Sequence, residues 1–183
     1  MPTLIAYASA HGSTAGIARS LGRRLTHRGL DVEVRDCAEI PAGTRPSTLV
    51  IGSAVHESEW LPTAARFVDH LAEGAEELPV WAFSVGMVGD EGSALARPVT
   101  ALLRRMLRTR EPTAVQQLRA RTRLRGHHRF SGRFCATDAA DTGRAGRMVF
   151  RAMGGHYGDY REWSAVEAWA DDIAVEVDRQ AHS

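Results

Sequence analysis

Lysine and asparagine are both absent from this chain of 183 residues, so all 23 of its basic residues are arginine. Both missing residues have A-rich codons, and their absence suggests a GC-rich bacterial genome. Only two cysteines are present, Cys37 and Cys135, which excludes a disulfide framework and favours reduced thiols. No apolar run approaches the roughly 20 residues of a membrane span, and the N-terminus lacks the basic segment of a signal peptide. We therefore expect a cytoplasmic protein.

The residues that are present predict one domain of the α/β class, spanning 1–183. Hydrophobic residues make up 44% of the chain, which is enough for a full core. Short apolar runs at 3–8, 48–53 and 79–85 are typical of strands that are buried on both faces of a parallel sheet. Residues 31–35 alternate between apolar and charged side chains, which indicates an edge strand.

Helical patterns lie between these strands. Apolar residues repeat every four positions over 17–25, and Gly29 is expected to end this helix. Pro62 and Pro98 each open a further helical pattern, as proline can in a first turn. The apolar stripe over 163–177 predicts a final helix that buries one face.

The alternation of strands and helices predicts right-handed crossovers and a doubly wound parallel sheet of five strands. The fifth strand is best assigned to 127–135, "HHRFSGRFC". This segment lies far downstream of the fourth strand. We therefore expect an insertion or an extended helix within 109–126.

A polar turn follows the first strand and contains Ser9, His11, Gly12, Ser13 and Thr14. Ligands of doubly wound sheets bind outside the carboxyl ends of the strands. Small residues let backbone N–H groups converge there, the helix N-terminus adds positive charge, and the three hydroxyls add donors. No lysine follows Gly12 and no G-x-G-x-x-G is present, so we predict a single phosphate held without a metal. An ordinary helix cap with a tight glycine turn is the alternative.

This S-x-H-G-S-T stretch resembles the flavodoxin phosphate loop, T-x-T-G-x-T, which holds the phosphate of FMN. Ser9, Gly12 and Thr14 match that pattern, while His11 replaces its middle threonine. The run "RMVFRAMGGHYGDYREWSAVEAWADDIA" at 147–174 resembles the branch of the family that contains menaquinone-dependent protoporphyrinogen oxidase. The resemblance implies the sheet order 2-1-3-4-5 and FMN as the cofactor, with a deazaflavin as an alternative.

By the same resemblance, the loops after the third and fourth strands hold the flavin ring. The residues that it implies are Ser53, Ala54, Val55, His56, Trp60, Gly86, Met87, Val88 and Gly89. Trp60 either stacks on the ring or anchors the next helix by packing. Glu57 and Glu59 either disfavour a reduced, anionic flavin or form a solvated loop surface. The glycines of the second loop either let the backbone approach the ring and rearrange, or belong to an ordinary flexible loop.

The resemblance implies an oxidoreductase in which the flavin carries the chemistry, so no catalytic side chain is predicted. The implied reaction is dehydrogenation of a porphyrinogen-like donor with a quinone as acceptor. One alternative is an electron carrier, although a net charge of +1 is unlike the strongly acidic carriers. Another is a scaffold that has lost flavin. His127 and His128 point to opposite faces of a strand and cannot share one metal, so no metal is predicted.

Residues 104–133 contain ten arginines and one acidic residue, Glu111. Nucleic-acid binding is not expected, because Phe130 is the only aromatic residue in this run. A solvated helix face is one interpretation. The interpretation that we favour is an anionic partner, either porphyrin propionates or acidic lipid headgroups, which implies peripheral contact with the inner face of a membrane.

Overall fold

The computed structural model describes residues 2–41, 43–71, 75–107, 110–135 and 143–181. Strands and helices alternate along most of these residues. The strands are β1 (Thr3–Ala8), β2 (Val32–Asp36), β3 (Thr48–His56), β4 (Glu59–Trp60), β5 (Pro79–Gly86), β6 (Arg123–Ser131), β7 (Arg133–Phe134) and β8 (Gly158–Asp159). The helices are α1 (Ser13–His27), α2 (Pro62–Asp69), α3 (Arg97–Leu107), α4 (Thr113–Arg121), α5 (Gly143–Ala152) and α6 (Trp163–Ala181).

Five strands form a parallel sheet in the order β2-β1-β3-β5-β6, and β4 pairs antiparallel with β3. Counted over the parallel strands alone, this is the order 2-1-3-4-5, which confirms the predicted fold class. The alternating strand β2 lies at the edge, also as predicted. Ala8 pairs with Ser53, and Ser53 pairs with Ser84. The carboxyl ends of β1, β3 and β5 therefore meet at one edge of the sheet.

Helices cover both faces of this sheet, so each central strand is buried on two sides. Helices α1 and α6 pack on one face, where Ile17 and Ile173 join Phe83 of β5 in one core cluster. Helices α2 and α4 pack on the other face, where Val68 and Leu118 belong to a second cluster. Near-continuous apolar strands are what a sheet covered on both faces requires.

The fifth parallel strand begins four residues earlier than predicted, at Arg123, and ends at Ser131 rather than at residue 135. Its first half is rich in arginine, which hid it in the sequence. The structure tolerates these arginines because β6 is an edge strand with an exposed side, and Arg123 lies 3.1 Å from Glu77. Beyond Ser131 the chain leaves the sheet, and the short strand β7 pairs with β8 instead.

The predicted insertion before the fifth parallel strand is a separate helix, α4, rather than an extension of α3. Helix α1 ends at His27 and is followed by Gly29 at φ 93°, which confirms the glycine stop. Helix α5 and the strand pair β7–β8 were not predicted. Among the described helices, none combines the length and the apolar character needed to cross a bilayer.

Candidate cofactor-binding site

The turn after β1 exposes the N-terminus of α1 at the carboxyl edge of the sheet. Gly12 is the N-cap residue at φ 84°, a left-handed conformation that favours glycine, and no described atom would touch a Cβ there. Ser9 Oγ accepts the Gly12 N–H at 3.0 Å and closes the turn. No side chain caps the helix, and its first turn contains no acidic residue. The first amides of α1 are thus available to an anion.

Thr14 is the residue of this turn that most clearly lacks a partner. It is only 1% exposed, and its Oγ1 makes no hydrogen bond within the described residues. An unsatisfied buried hydroxyl costs roughly 1–3 kcal/mol. A ligand acceptor placed at the start of α1 would remove that cost, so Thr14 fits the predicted phosphate contact.

The Ser13 hydroxyl has partners within the protein. Its Oγ accepts the Arg133 N–H at 2.9 Å and donates to the Arg133 carbonyl oxygen at 3.3 Å. The hydroxyl predicted to donate to phosphate therefore fastens α1 to β7. His11 is exposed at the tip of the turn.

A tight hairpin follows β3 and forms the second part of the site. Val55 pairs with Trp60 and His56 with Glu59, so the turn consists of Glu57 and Ser58. Both turn residues have positive φ, 51° and 70°. Two-residue hairpins favour this conformation, but residues other than glycine adopt it at a cost of about 1–3 kcal/mol each.

Ser53 is a structural residue of this hairpin. Its hydroxyl is fully buried, donates to the Ala54 carbonyl oxygen at 2.8 Å and accepts the Leu61 N–H at 2.9 Å. Ala54 and Val55 are half-buried and His56 is exposed. The predicted ring contacts that remain open to a ligand at this end of β3 are therefore Ala54, Val55 and His56.

The two residues of β4, exposed Glu59 and buried Trp60, both have hydrogen-bond partners within the protein. Trp60 is 4% exposed within the core cluster of α2 and α4, and its Nε1–H donates to Ser84 Oγ at 2.8 Å. This is the packing alternative for Trp60. The Glu59 carboxylate accepts from Thr113, from the backbone N–H at 2.8 Å and from Oγ1 at 3.1 Å. Glu59 thus caps α4, which the sequence did not suggest.

The loop after β5 is held in place by its neighbours. Arg104 of α3 donates to the carbonyl oxygens of Gly89 at 2.9 Å and Glu91 at 2.7 Å. Asp90 accepts the backbone N–H of Arg129 at 2.9 Å and pairs with its guanidinium. A Cβ on Gly89 would lie 2.5 Å from the backbone nitrogen of Ser131. Glycine is therefore needed here for the close approach of β6, and the loop is anchored rather than loose.

A series of buried polar side chains, which the sequence did not reveal, connects the hairpin after β3 to β6. The Trp60 indole donates to Ser84 Oγ, and this hydroxyl lies 2.8 Å from His127 Nε2. His127 Nδ1 lies 3.5 Å from Glu111 Oε1, and this carboxylate favours the neutral tautomer that carries its proton on Nδ1 and accepts from Ser84 at Nε2. Although this resembles a Ser-His-Glu series, Ser84 is buried in the middle of the sheet, so a substrate could not reach its hydroxyl.

The groups around His127 set its charge. Burial, the largest effect, and the charge of Arg129 together lower the pKa of His127 to about 4, although Glu111 and Asp90 act in the opposite direction. Burial is the largest single effect on Glu111 and raises its pKa, but the hydrogen bond and charge of Arg119 together with the contact to His127 outweigh it, so the net shift is downward. His127 is therefore neutral at physiological pH.

The segment after α5 contacts the first turns of α1 through Arg161. Arg161 forms an ion pair with Asp159, and its guanidinium lies 4.5 Å from the centroid of the Trp163 ring. A Cβ on Gly16 would lie 2.7 Å from Arg161 Nη1, so this glycine leaves room for the guanidinium against the first turns of α1. This arrangement occurs within the run at 147–174 that carries the second resemblance.

Other reactive groups lie elsewhere. A cavity of about 310 Å³ is lined by Cys37, Thr44 and one face of α2, away from the polar turn. Burial raises the pKa of the Cys37 thiol to about 12, so this thiol is unreactive. Within the described ranges, no three His, Cys, Asp or Glu side chains are grouped closely enough to hold a metal ion.

Comparisons with known proteins agree with this architecture. The family model described as "Flavodoxin domain" matches residues 4–134. A flavodoxin from the domain Archaea is 17% identical at a TM-score of 0.52, with 84% of this chain and 99% of that chain covered. A flavodoxin of Streptococcus pneumonia TIGR4 is 14% identical at 0.56, with 96% and 99% covered.

A larger protein also contains this fold. Rubredoxin oxygen:oxidoreductase from Desulfovibrio gigas is 14% identical at a TM-score of 0.61, and the match covers 100% of this chain but only 37% of that one. At these identities the likeness concerns the fold alone. No curated protein sequence matches the chain.

Proposed function

Since the chain belongs to the flavodoxin domain family, we propose that it binds FMN at the carboxyl edge of its sheet and acts as an oxidoreductase. The observation that carries this proposal is the buried Thr14 hydroxyl, which has no partner within the described residues and lies in the first turn of α1. FMN supplies electron and hydride transfer when it is bound. The residues of the chain bind it, orient it and set its surroundings.

The phosphate end of FMN would rest on the start of α1. Thr14 Oγ1 would donate to one phosphate oxygen, and the uncapped amides of the first turn would bind others. Ser9 accepts the Gly12 N–H and still has its own hydroxyl hydrogen for a ligand. His11 would border this site from the exposed tip of the turn. A dianion is compatible with these groups because the first turn has no acidic residue.

The ring end would lie between the hairpin after β3 and the loop after β5. The residues that border it are Ala54, Val55 and His56 on one side and Gly86, Met87, Val88 and Gly89 on the other. The acidic side chains nearby do not oppose this placement, because Glu59 caps α4 and Asp90 pairs with Arg129. Repulsion of a reduced, anionic flavin is weaker when such charges are already paired.

A test of the phosphate site replaces Thr14 with valine, which keeps the volume and removes the donor. A hydrogen bond to a charged group is worth roughly 1.5–3 kcal/mol, so FMN affinity should fall about tenfold to a hundredfold. Riboflavin, which has no phosphate, should bind parent and variant alike. Thr26→Val, at an exposed position near the end of the same helix, is the matched control.

Fluorescence titration with FMN and with riboflavin measures the affinities of the parent, the variant and the control for both ligands. Equal FMN affinity in Thr14→Val and parent would show that the phosphate lies elsewhere. Protein that stays colourless with excess FMN would refute the flavin proposal and leave a scaffold function. Copurification of a deazaflavin, identified by its mass and absorbance, would replace FMN as the cofactor.

We extend the proposal to the reaction: dehydrogenation of a porphyrinogen-like donor with a quinone as acceptor. The support is the resemblance of residues 147–174 to the protoporphyrinogen oxidase branch, together with a net charge of +1, which does not suit an acidic electron carrier. Turnover of a quinone with an artificial electron donor should be detectable with the purified, FMN-loaded protein alone. Turnover that requires an added redox protein would favour the carrier function instead.

A further inference from the structure

Within the part of the chain that the structure describes, two helices have large apolar side chains exposed to solvent. Helix α5 has no buried residue, and α3 has only Thr100. Leu102 and Met106 of α3 are about 60% exposed, and Met148 and Val149 of α5 are exposed as well. Amphipathic helices normally bury their apolar side against a core, and large exposed apolar patches mark interaction sites. We call this surface the α3–α5 face.

The two helices are joined next to the candidate flavin site. The N–H of Ala96, which precedes α3, donates to the carbonyl oxygen of Met153, which follows α5, at 3.3 Å. The Ala94 N–H donates to the Met87 carbonyl oxygen at 2.9 Å in the loop after β5. Met87 is itself exposed. The α3–α5 face therefore begins at the loop that would border the flavin ring.

The charge of these helices has one sign. Each contains three arginines and no acidic residue. Arg104 is used internally, since it binds the loop after β5. The other five form no ion pair with any described residue: Arg97, Arg105, Arg144, Arg147 and Arg151. Apolar side chains among unpaired arginines are the pattern of a helix that lies on an anionic membrane.

The arginine-rich run at 104–133 is a weaker candidate for binding an anionic partner than its composition suggests. Arg119, Arg125 and Arg129 each pair with a carboxylate, those of Glu111, Glu176 and Asp90 in turn. Arg123 pairs with Glu77 in the same way. Four of the ten arginines of this run are therefore compensated by carboxylates of the protein. The uncompensated charge beside exposed apolar groups lies on α3 and α5.

We propose that the α3–α5 face binds peripherally to a membrane surface that contains anionic lipids. The leucine, methionine and valine side chains enter the boundary between headgroups and acyl chains, and the arginines pair with lipid phosphates. The contact does not depend on the flavin. If the flavin proposal also holds, this membrane contact would place the open side of the cofactor site beside the bilayer.

Vesicle cosedimentation tests the apolar part of this proposal. The parent protein should bind vesicles of phosphatidylcholine with phosphatidylglycerol, and should bind neutral phosphatidylcholine vesicles far more weakly. Leu102→Gln combined with Met148→Gln should weaken the binding at least tenfold, because both side chains lose apolar contact with lipid. Val175→Gln, at an exposed apolar position of α6, is the matched control and should bind like the parent.

A second pair of variants tests the charges. Arg105→Gln combined with Arg147→Gln should weaken binding to anionic vesicles about tenfold to thirtyfold, and raised salt should reduce the difference. Arg19→Gln combined with Arg23→Gln, on the exposed side of α1, changes the net charge equally and should have a smaller effect. Unchanged melting temperatures would exclude misfolding as the cause, and flavin-free protein should give the same results.

Three results would overturn the proposal. One is a parent protein that does not bind anionic vesicles at low salt. Another is an equal loss of binding in the α3–α5 variants and their controls. The third is a parent that dimerises in sedimentation velocity without lipid while Leu102→Gln with Met148→Gln is monomeric, because a second copy of the chain would then cover this face.

Discussion

Acidification should destabilise this protein through one buried histidine. His127 is buried against Ser84, and burial lowers its pKa from 6.5 to about 4. The unfolded chain therefore takes up a proton on this residue at a pH where the native protein does not. Stability linked to His127 is complete above the unfolded pKa and falls as the pH decreases from 6.5 towards 4.

The size of this effect follows from the two pKa values. A shift of this size corresponds to about 3 kcal/mol when the pH has fallen below both values. Linkage gives a loss of about 2 kcal/mol between pH 7 and pH 5 from His127 alone. The negative charge of Glu111 favours protonation of His127, and this effect is already included in the pKa of about 4. Because the pKa of Glu111 is itself lowered, its charge beside Arg119 persists over this pH range.

Urea unfolding at pH 7, 6 and 5 measures the effect in parent and His127→Gln. The variant should be less stable at pH 7, and its free energy of unfolding should fall by about 2 kcal/mol less on acidification than that of the parent. His27→Gln, exposed at the end of α1, should retain the slope of the parent. If His127→Gln and the parent lost stability in parallel, the histidine would not be buried in its neutral form.

Three further substitutions test the contacts that hold the site. Gly89→Ala should lower the free energy of unfolding by about 1–3 kcal/mol, because its Cβ would collide with the backbone of β6, whereas Gly126→Ala has room and should cost less in the same urea titration. Glu59→Ala should cost about 1 kcal/mol in thermal unfolding, because Thr113 at the start of α4 loses its cap; an unchanged melting temperature would contradict this role. Asp171→Asn should destabilise the protein near neutral pH, because hydrogen bonds from Arg24 of α1 and from Arg28 just after it lower the pKa of this carboxyl group; in unfolding experiments the difference from the parent should begin to shrink as the pH falls below about 4, where the unfolded carboxylate is protonated, and should vanish only at a much lower pH, where the native carboxylate is protonated as well.

The fold could be predicted largely because its central strands are apolar on both faces. Residues 48–53 and 79–85 could hardly be anything but buried strands, and the proline and glycine positions located the helix ends. The edge strand β6 was placed wrongly because arginines and histidines in an exposed strand give no such signal. Strand β4 was missed because two residues carry no periodicity and its turn, Glu57 with Ser58, lacks the usual glycine or asparagine.

The candidate site was predictable only in its local part. A polar glycine turn after a strand is visible in the sequence, and the structure places it at the predicted edge. Contacts between distant residues are not visible in this way. Ser13 binds Arg133, 120 residues away, and His127 meets Ser84, 43 residues away. The role of a hydroxyl depends on such partners, which the spacing along the chain does not reveal.

The fastening of α1 by late segments of the chain has a consequence for biosynthesis. The start of α1 is held by Arg133 and its end by Asp171, which accepts from Arg24 across 147 residues of sequence. During synthesis the polar turn leaves the ribosome early, whereas Arg133 and Asp171 leave it much later. During translation the turn therefore exists without its final support until the last helix has been made. Binding of the proposed FMN should accordingly be one of the final steps in making this protein, not an event on the nascent chain.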